Sequence, residues 1–396
     1  MCVWQKKELS FYDKKQKMPR KKPVRVLPDI ADDLWRKVAR FAVSSLHTLF
    51  KLSTISKRMR RVLAHPIMLS HVKVRLREPS QLVNLGIWGS RLQSLRFDGA
   101  ADECFESIFL PPTVTDLNLT CCNITSQGLV WAIRGLTHLT HLNLNDCNVE
   151  DFGALANLPL VKLALGGSYS DFWDAEELLP TLPYLQELDL HAPCLCSDPV
   201  DRAGTESPCV RAISRLPNLH TLNLESTDLH DREFMKLAPL AKTLRHLDVA
   251  NTEITDQSAS VLSGFWRLES LSVSTCHLSK RSMRAISKLL QLRVLYASDC
   301  PMMITNDSLS LLSPLTFLAQ LDISCNPVQR FEPLYGLHNL RALDVSACNQ
   351  VCMDKHSHLV FQRESIQRER DITEEARRDL AYHLPLLIVK SPTSFT

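Results

Sequence analysis

No apolar run in this chain approaches the roughly 18 residues that a membrane-spanning helix needs. The opening segment, residues 1–22, has neither an apolar core nor a small-residue cleavage site, so no secretory signal is expected. Phosphate-binding loops, G-x-S-x-G elbows and H-E-x-x-H helices are all missing. The expectation is a chain without catalytic residues, metal or cofactor. Cysteines number 13, which is odd. Without a signal they read as reduced thiols of a cytoplasmic or nuclear protein, not as a disulfide framework.

What is present is apolar material, 45% of 396 residues, and a lopsided charge. Residues 1–80 hold 20 Lys+Arg against 6 Asp+Glu, a net +14; the remainder holds 26 against 37, a net −11. A basic head on an acidic body predicts two parts with different partners.

One pattern dominates. With its first apolar residue counted as position zero, apolar residues recur at positions 3 and 5, and Cys, Asn or Thr at position 8. Leu139-Thr-His-Leu142-Asn-Leu144-Asn-Asp-Cys147 is one copy and Leu340-Arg-Ala-Leu343-Asp-Val345-Ser-Ala-Cys348 another. The frame starts at Leu69, Leu92, Val114, Leu139, Leu160, Leu185, Leu219, Leu244, Leu268, Leu292, Leu318, Leu340 and Leu384. Ten of the twelve steps lie within 20–29 residues, the period of leucine-rich repeats. Side chains alternate along a strand, so positions 3 and 5 point inward and positions 2, 4 and 6 outward. Each strand is followed by a turn and a helical return. Leu129, Ile133 and Leu136 share a helical face, and Thr125 stands where an N-cap belongs. Strands stack about 4.8 Å apart and helices about 8–10 Å, which forces curvature with the strands on the concave side.

The runs LNLTCCNITSQGLVWAI and LDVANTEITDQSASVL resemble the cysteine-containing class of leucine-rich repeats. The resemblance implies that Cys122, Cys147, Cys276, Cys300 and Cys348, all at position 8, are buried and bond the turn backbone. Thr227, Thr252 and Asn326 fill that place elsewhere. The expected fold is an α/β solenoid, a leucine-rich-repeat horseshoe of about 12–13 repeats over residues 69–396.

Residues 24–68 do not fit the repeat. After a basic tail at 1–23, Leu34, Val38 and Phe41 mark one helical face, Leu46, Leu49 and Leu52 a second, and Met59, Val62 and Leu63 a third before Pro66. Three helices in so short a segment cannot bury all their apolar faces. Leu27-Pro28-Asp29, Ile55-Ser56-Lys57-Arg58-Met59-Arg60-Arg61-Val62-Leu63 and Pro66 resemble an F-box; Met59 departs from the usual aromatic. An F-box followed by such repeats is the layout of F-box/leucine-rich-repeat proteins. The resemblance implies a substrate-recognition subunit of an SCF-type ubiquitin ligase, bound to a Skp-type adaptor and cullin complex. Adaptor contacts would come from Leu27, Pro28, Leu34, Val38, Leu49, Leu52 and Ile55. The alternative reading makes these helices a cap on a non-catalytic scaffold.

Two segments interrupt the array. The insert at 191–210 carries His191, Cys194, Cys196 and Cys209, whose spacing suits zinc poorly; a mobile loop is the first expectation. The insert at 352–383 mixes charges at helical spacing, as a solvated helix does. The run Lys14–Lys22 reads first as a solvated tail and second as a nuclear localisation signal or RNA contact.

On the concave face the outward positions include Asp98, Asp116, Glu187, Asp189, Glu225, Asp248, Asp322 and Asp344, opposed by Arg96 and Lys162, for a net of about −6. Asn143, Tyr296, His141, His191 and His246 fill the gaps. Such a face favours a basic protein partner over nucleic acid or a membrane.

Overall fold

The computed structural model describes residues 73–77, 92–167, 175–192, 208–348, 380, 383–384 and 388–390. The F-box-like segment, with Leu27, Pro28, Leu34, Val38, Leu49, Leu52 and Ile55, lies outside the described residues. So do nearly all of the inserts at 191–210 and 352–383.

Thirteen short strands pair in parallel, in sequence order, into one sheet. They are β1 (Lys73–Leu76), β2 (Ser94–Phe97), β3 (Asp116–Asn118), β4 (His141–Asn143), β5 (Lys162–Ala164), β6 (Glu187–Asp189), β7 (Thr221–Asn223), β8 (His246–Asp248), β9 (Ser270–Ser272), β10 (Val294–Tyr296), β11 (Gln320–Asp322), β12 (Ala342–Asp344) and β13 (Ile388–Lys390). Leu95, Leu117, Leu142 and Leu163 lie in register with one another, and the column runs on through Leu188, Leu222, Leu247 and Leu271 to Leu343. These position-3 leucines and the position-5 residues behind them are buried in one continuous apolar core. Phe97 against Phe105 fills it within a repeat, and Phe234 against Phe265 between two.

Backbone bonding continues past the strands. The N–H of position 7 donates to the position-6 carbonyl of the next repeat, as in Cys121 to Asn145, Thr275 to Ser298 and Cys325 to Ser346. For that N–H to aim along the stack the chain must turn sharply. Position 7 is left-handed in every repeat from Gly99 (φ 67°) through Asp146 (59°), Thr275 (57°) and Asp299 (51°) to Ala347 (59°). Only glycine adopts this conformation without steric cost, yet here Ala, Cys, Thr and Ser also hold it. The turn is imposed by the stack, not chosen by the local residue.

The return runs are α1 (Glu103–Glu106), α2 (Ser126–Ile133), α3 (Ala175–Leu178), α4 (Pro208–Ile213), α5 (Asp231–Lys236), α6 (Ala259–Leu262) and α7 (Lys280–Ile286). The 21-residue step from Leu139 and the 22-residue step from Leu318 carry no α-helix. They return through 3-10 turns at Gly153–Leu155 and Glu332–Leu334.

Two sequence expectations need correction. The terminal copies start two residues later than Leu69 and Leu384: Val74, not Val72, pairs with Leu95, and Val389 pairs with Leu343. Val72, Val74 and Leu76 alternate, so a slip of two residues keeps the same face inward and leaves no trace in the hydrophobic pattern. Thr125 does occupy the N-cap of α2, but its side chain makes no capping bond. Its hydroxyl and N–H go instead to Asp102 of the preceding repeat, at 2.6 and 2.8 Å.

Candidate functional site

That Asp102 contact is one of a series. Asp231 accepts from the Thr255 and Ser258 N–H groups and from both hydroxyls. Asp256 accepts from the Ser279 N–H and the Ser279 and Ser282 hydroxyls. Asn306 takes the Gln329 and Arg330 N–H groups at 2.9 and 3.0 Å. A side chain at the start of one return run thus satisfies the open N–H groups of the next. Burial alone would raise the Asp231 and Asp256 carboxyls, but these donors outweigh it and hold both below the usual range.

Position 8 forms a second internal seam. The thiols of Cys147, Cys276, Cys300 and Cys348 donate to the position-5 carbonyl of the preceding repeat at 3.0–3.2 Å, and Cys122 does so at 3.5 Å. Thr227 and Thr252 turn instead to Leu224 and Val249 of their own repeats at 2.7 Å. Asn326, fully buried, donates to Ala297, Ile323 and Ser324 and accepts from the Cys300 N–H. Burial pushes the thiols of Cys147, Cys300 and Cys348 up to about 12, so they are inert at neutral pH. All nine described cysteines are free.

With the seams accounted for, the outward strand positions remain. The sequence-predicted residues Asp116, Asn143, Glu187, Asp189, Asp248, Tyr296, Asp322 and Asp344 all sit on one face of the sheet, half-buried or exposed, with Asp98 and Glu225 just beyond their strands. The face is less uniformly acidic than the count of −6 suggested. Arg75 and Arg96 both pair with Asp98, and Lys162 pairs with Glu187 at 2.6 Å. Positive charge therefore meets the acid at the β1–β2 end and again between β5 and β6, and most of the uncompensated carboxylates lie from β6 onward.

Seven of the position-4 residues share a bond that the sequence reading did not foresee. Asn118, Asn143, Asp189, Asn223, Asp248, Asp322 and Asp344 each accept the N–H two residues on, at 2.9–3.2 Å. This Asx turn ends the strand. In the aspartates that bond occupies one carboxylate oxygen. At Asp322 and Asp344 the same oxygen also takes the hydroxyl of Ser324 or Ser346, at 2.7 Å.

The densest part of the face centres on β6–β8. Asp189, Glu225 and Asp248 come from adjacent repeats. Burial first, then the Asp248 carboxylate, raises the Glu225 carboxyl; Asp189 adds to this and His191 opposes it. His191 meets Asp189 at 2.9 Å, and Asn145 reaches Asp189 across a whole repeat at 3.2 Å. The His191 ring fits there because position 6 of the intervening repeat is Gly166, where a Cβ would lie 2.1 Å from it. Asn145 and Gly166 were missed as site residues; a glycine at an outward strand position was the available signal. Tyr296 stands 40% exposed beyond this cluster, its hydroxyl 3.4 Å from Gln320.

An ordered ladder of thirteen parallel strands, with a short helical run at each return from β2 to β12 and leucine at position 3 throughout that stretch, decides the fold. The fold is a leucine-rich-repeat solenoid. A family model described as Leucine Rich repeat matches residues 111–130, 135–156 and 241–263. A search of curated proteins finds no match. Among solved structures the chain is similar to an internalin of Listeria monocytogenes, at 19% identity and TM-score 0.47 over 78% of this chain and 82% of that one. It is also similar to an internalin C2 of that organism, at 23% identity and TM-score 0.34 over 55% and 74%. Among the described residues no helix of this solenoid is long and apolar enough to cross a membrane, and no group of His, Cys, Asp and Glu is arranged to hold a metal.

Proposed function

We propose that this solenoid is the substrate-recognition subunit of an SCF-type ubiquitin ligase, working in the cytoplasm or nucleus without chemistry of its own. Residues 24–68 dock the Skp-type adaptor, with Leu27, Pro28, Leu34, Val38, Leu49, Leu52 and Ile55 as contacts. The concave face holds a protein target for ubiquitination by the attached cullin complex. The observation that carries the receptor half of this reading is the row of Asp189, Glu225 and Asp248 on adjacent repeats, where burial first and the neighbouring carboxylates second raise Glu225. A cation arriving there offsets the repulsion among those carboxylates, so the face prefers a basic protein segment. What supports the adaptor half is the F-box resemblance and its place directly before the array.

The test is affinity capture of the full chain against a Leu27→Ala/Pro28→Ala variant. Adaptor and cullin recovered with the wild type and lost with the variant, at unchanged repeat-domain circular dichroism, support the assignment. Adaptor binding that survives the change sinks it. A collapsed melting transition in the variant supports the second reading, in which the N-terminal helices only cap a scaffold.

A further inference from the structure

A different surface carries a further inference. It lies along the edge where the later strands begin and owes nothing to the concave row. Backbone bonds fix the order of residues along this edge. The Arg245 carbonyl accepts from Glu269, Glu269 from Arg293, Arg293 from Ala319, and Ala319 from Arg341, so these position-1 residues stack one above another. Immediately before them come the exposed side chains of Trp266 (54%), Leu290 (52%) and Phe317 (49%), from three successive repeats. Large apolar side chains exposed in consecutive repeats form a strip rather than scattered singletons.

The strip is flanked by cations. Lys242, Arg267 and Arg341 are exposed and, among the described residues, have no carboxylate partner. Arg245 and Arg293 share the one acid of the row, Glu269, at 3.1 and 3.7 Å. The Arg267 guanidinium lies 4.8 Å from the Trp266 ring. Behind the edge, Arg281, Arg284 and Lys288 are exposed on and just after α7, and no Asp or Glu occurs between Glu269 and Asp299. The same edge in earlier repeats carries Thr140, Val161 and Gln186 instead, and no Lys or Arg from His138 to Val161. An exposed aromatic, Tyr184, also precedes the earlier edge at Leu185, but arginine stands at position 1 only in the repeats starting at Leu244, Leu292 and Leu340.

We propose that this edge is a second docking surface and that it takes an acidic protein segment bearing apolar side chains. Trp and Arg are the residues most often found at the energetic centre of protein interfaces, and the exposed cations complement carboxylates. The charge of the repeat array, rather than that of the whole chain at +3, selects the class of partner. Beyond residue 80 the chain carries −11. A nucleic acid or an anionic membrane extends past the strip and meets that repulsion, whereas a short peptide stays within about one Debye length of the local cations.

The experiment uses the purified full chain and a fluorescein-labelled peptide alternating Glu with Leu and Phe. Control probes replace Glu by Gln, or Leu and Phe by Ser; a single-stranded oligonucleotide and phosphatidylserine vesicles complete the set. The expected result is binding of the acidic apolar peptide alone. Affinity should fall about tenfold or more in Lys242→Glu/Arg267→Glu and in Trp266→Ser/Leu290→Ser, and stay unchanged in Asp189→Asn/Asp248→Asn. Circular dichroism melts check that each variant folds; single Arg341→Glu and Phe317→Ser variants replace any pair that does not. Equal binding to the folded edge variants overturns the proposal, as does equal binding of the Gln peptide. Capture of the oligonucleotide or vesicles in place of the peptide overturns it in favour of that partner.

Discussion

The aspartates of the two sides of this solenoid differ in what their oxygens do. On the convex side Asp231 and Asp256 are sewn to the next repeat by backbone and hydroxyl donors, and both oxygens of each are engaged. On the concave side Asp248, Asp322 and Asp344 bond within their own repeat, through one oxygen only. At these positions one residue type therefore serves as a joint between repeats on one side and as a turn former with charge to spare on the other, while Asp189 combines the two by also taking Asn145 of another repeat. Only the second kind is available to a partner. The direction of the pKa shifts agrees: Asp231 and Asp256 are held down by donors, while Glu225 on the concave side is pushed up by burial and its acidic neighbours.

Breaking a convex joint should have the largest effect. Asp256→Ala strands the Ser279 N–H and two hydroxyls and is expected to cost about 2–3 kcal/mol in urea denaturation, with Asp256→Asn recovering part of it. A loss below about 0.5 kcal/mol would show that the joint contributes little.

Acid provides the next separation. The folded-state carboxyls of Asp231 and Asp256 lie below their unfolded values, so their stabilisation is full above the unfolded carboxylate pKa, near 3.9, and is lost as pH falls through the folded value. Glu225 has the opposite sign: its raised folded pKa favours the native state at low pH, and that contribution disappears as pH rises through the folded value. Melting temperatures of Asp231→Asn and Asp256→Asn should therefore depend less on pH than the wild type below about pH 4. Parallel curves would contradict this.

Neutralising the concave row should barely touch stability. Asp189→Asn/Asp248→Asn keeps the acceptor that ends each strand and removes the charge, giving up only the Asn145 contact to the second Asp189 oxygen, whereas Asp→Lys would also break the Asx turn. The melt should move by no more than about 0.5 kcal/mol equivalent, while association with a basic partner slows and loses salt dependence. Unchanged association at low salt would place the partner elsewhere.

The left-handed turn, between the two sides, should show an effect of opposite sign, a gain in stability. Thr275 is β-branched at φ 57°. Thr275→Gly should stabilise the fold by about 0.5–1 kcal/mol despite the entropy glycine adds to the unfolded chain. A destabilised variant would mean that the Thr275 side chain contributes more than its backbone strain costs.

Most of this architecture was legible in the residues because its driving force is periodic. Leu142, Leu163 and Leu188 repeat at inward positions, and a strand has only two faces. The outward residues followed by subtraction, which is why Asp189, Asp248 and Asp344 were found. Less visible was anything that depends on the partner of a bond. Thr125 looked like a helix cap because its type and place are right, but only the stack brings Asp102 to it. Asp248 looked like free charge because a sequence does not show that one oxygen is held by Ala250. The terminal registers slipped because a shift by two preserves alternation. The edge strip was invisible for a related reason: Trp266, Leu290 and Phe317 fall outside the motif and become neighbours only once the repeats are aligned in space.

The recurring left-handed residue gives the array interchangeable ends. Each strand from β3 to β11 is left through the same backbone turn and hands the same N–H to its successor, whatever side chain stands there. A cut made after position 7 of one repeat and after position 7 of another exposes matching hydrogen-bond valences. Excision of residues 252–275, from one such turn to the next, should therefore reseal in frame. The shortened protein should keep cooperative unfolding while its concave face loses a single rung, so the length of the face can be edited in whole steps without redesigning the remainder.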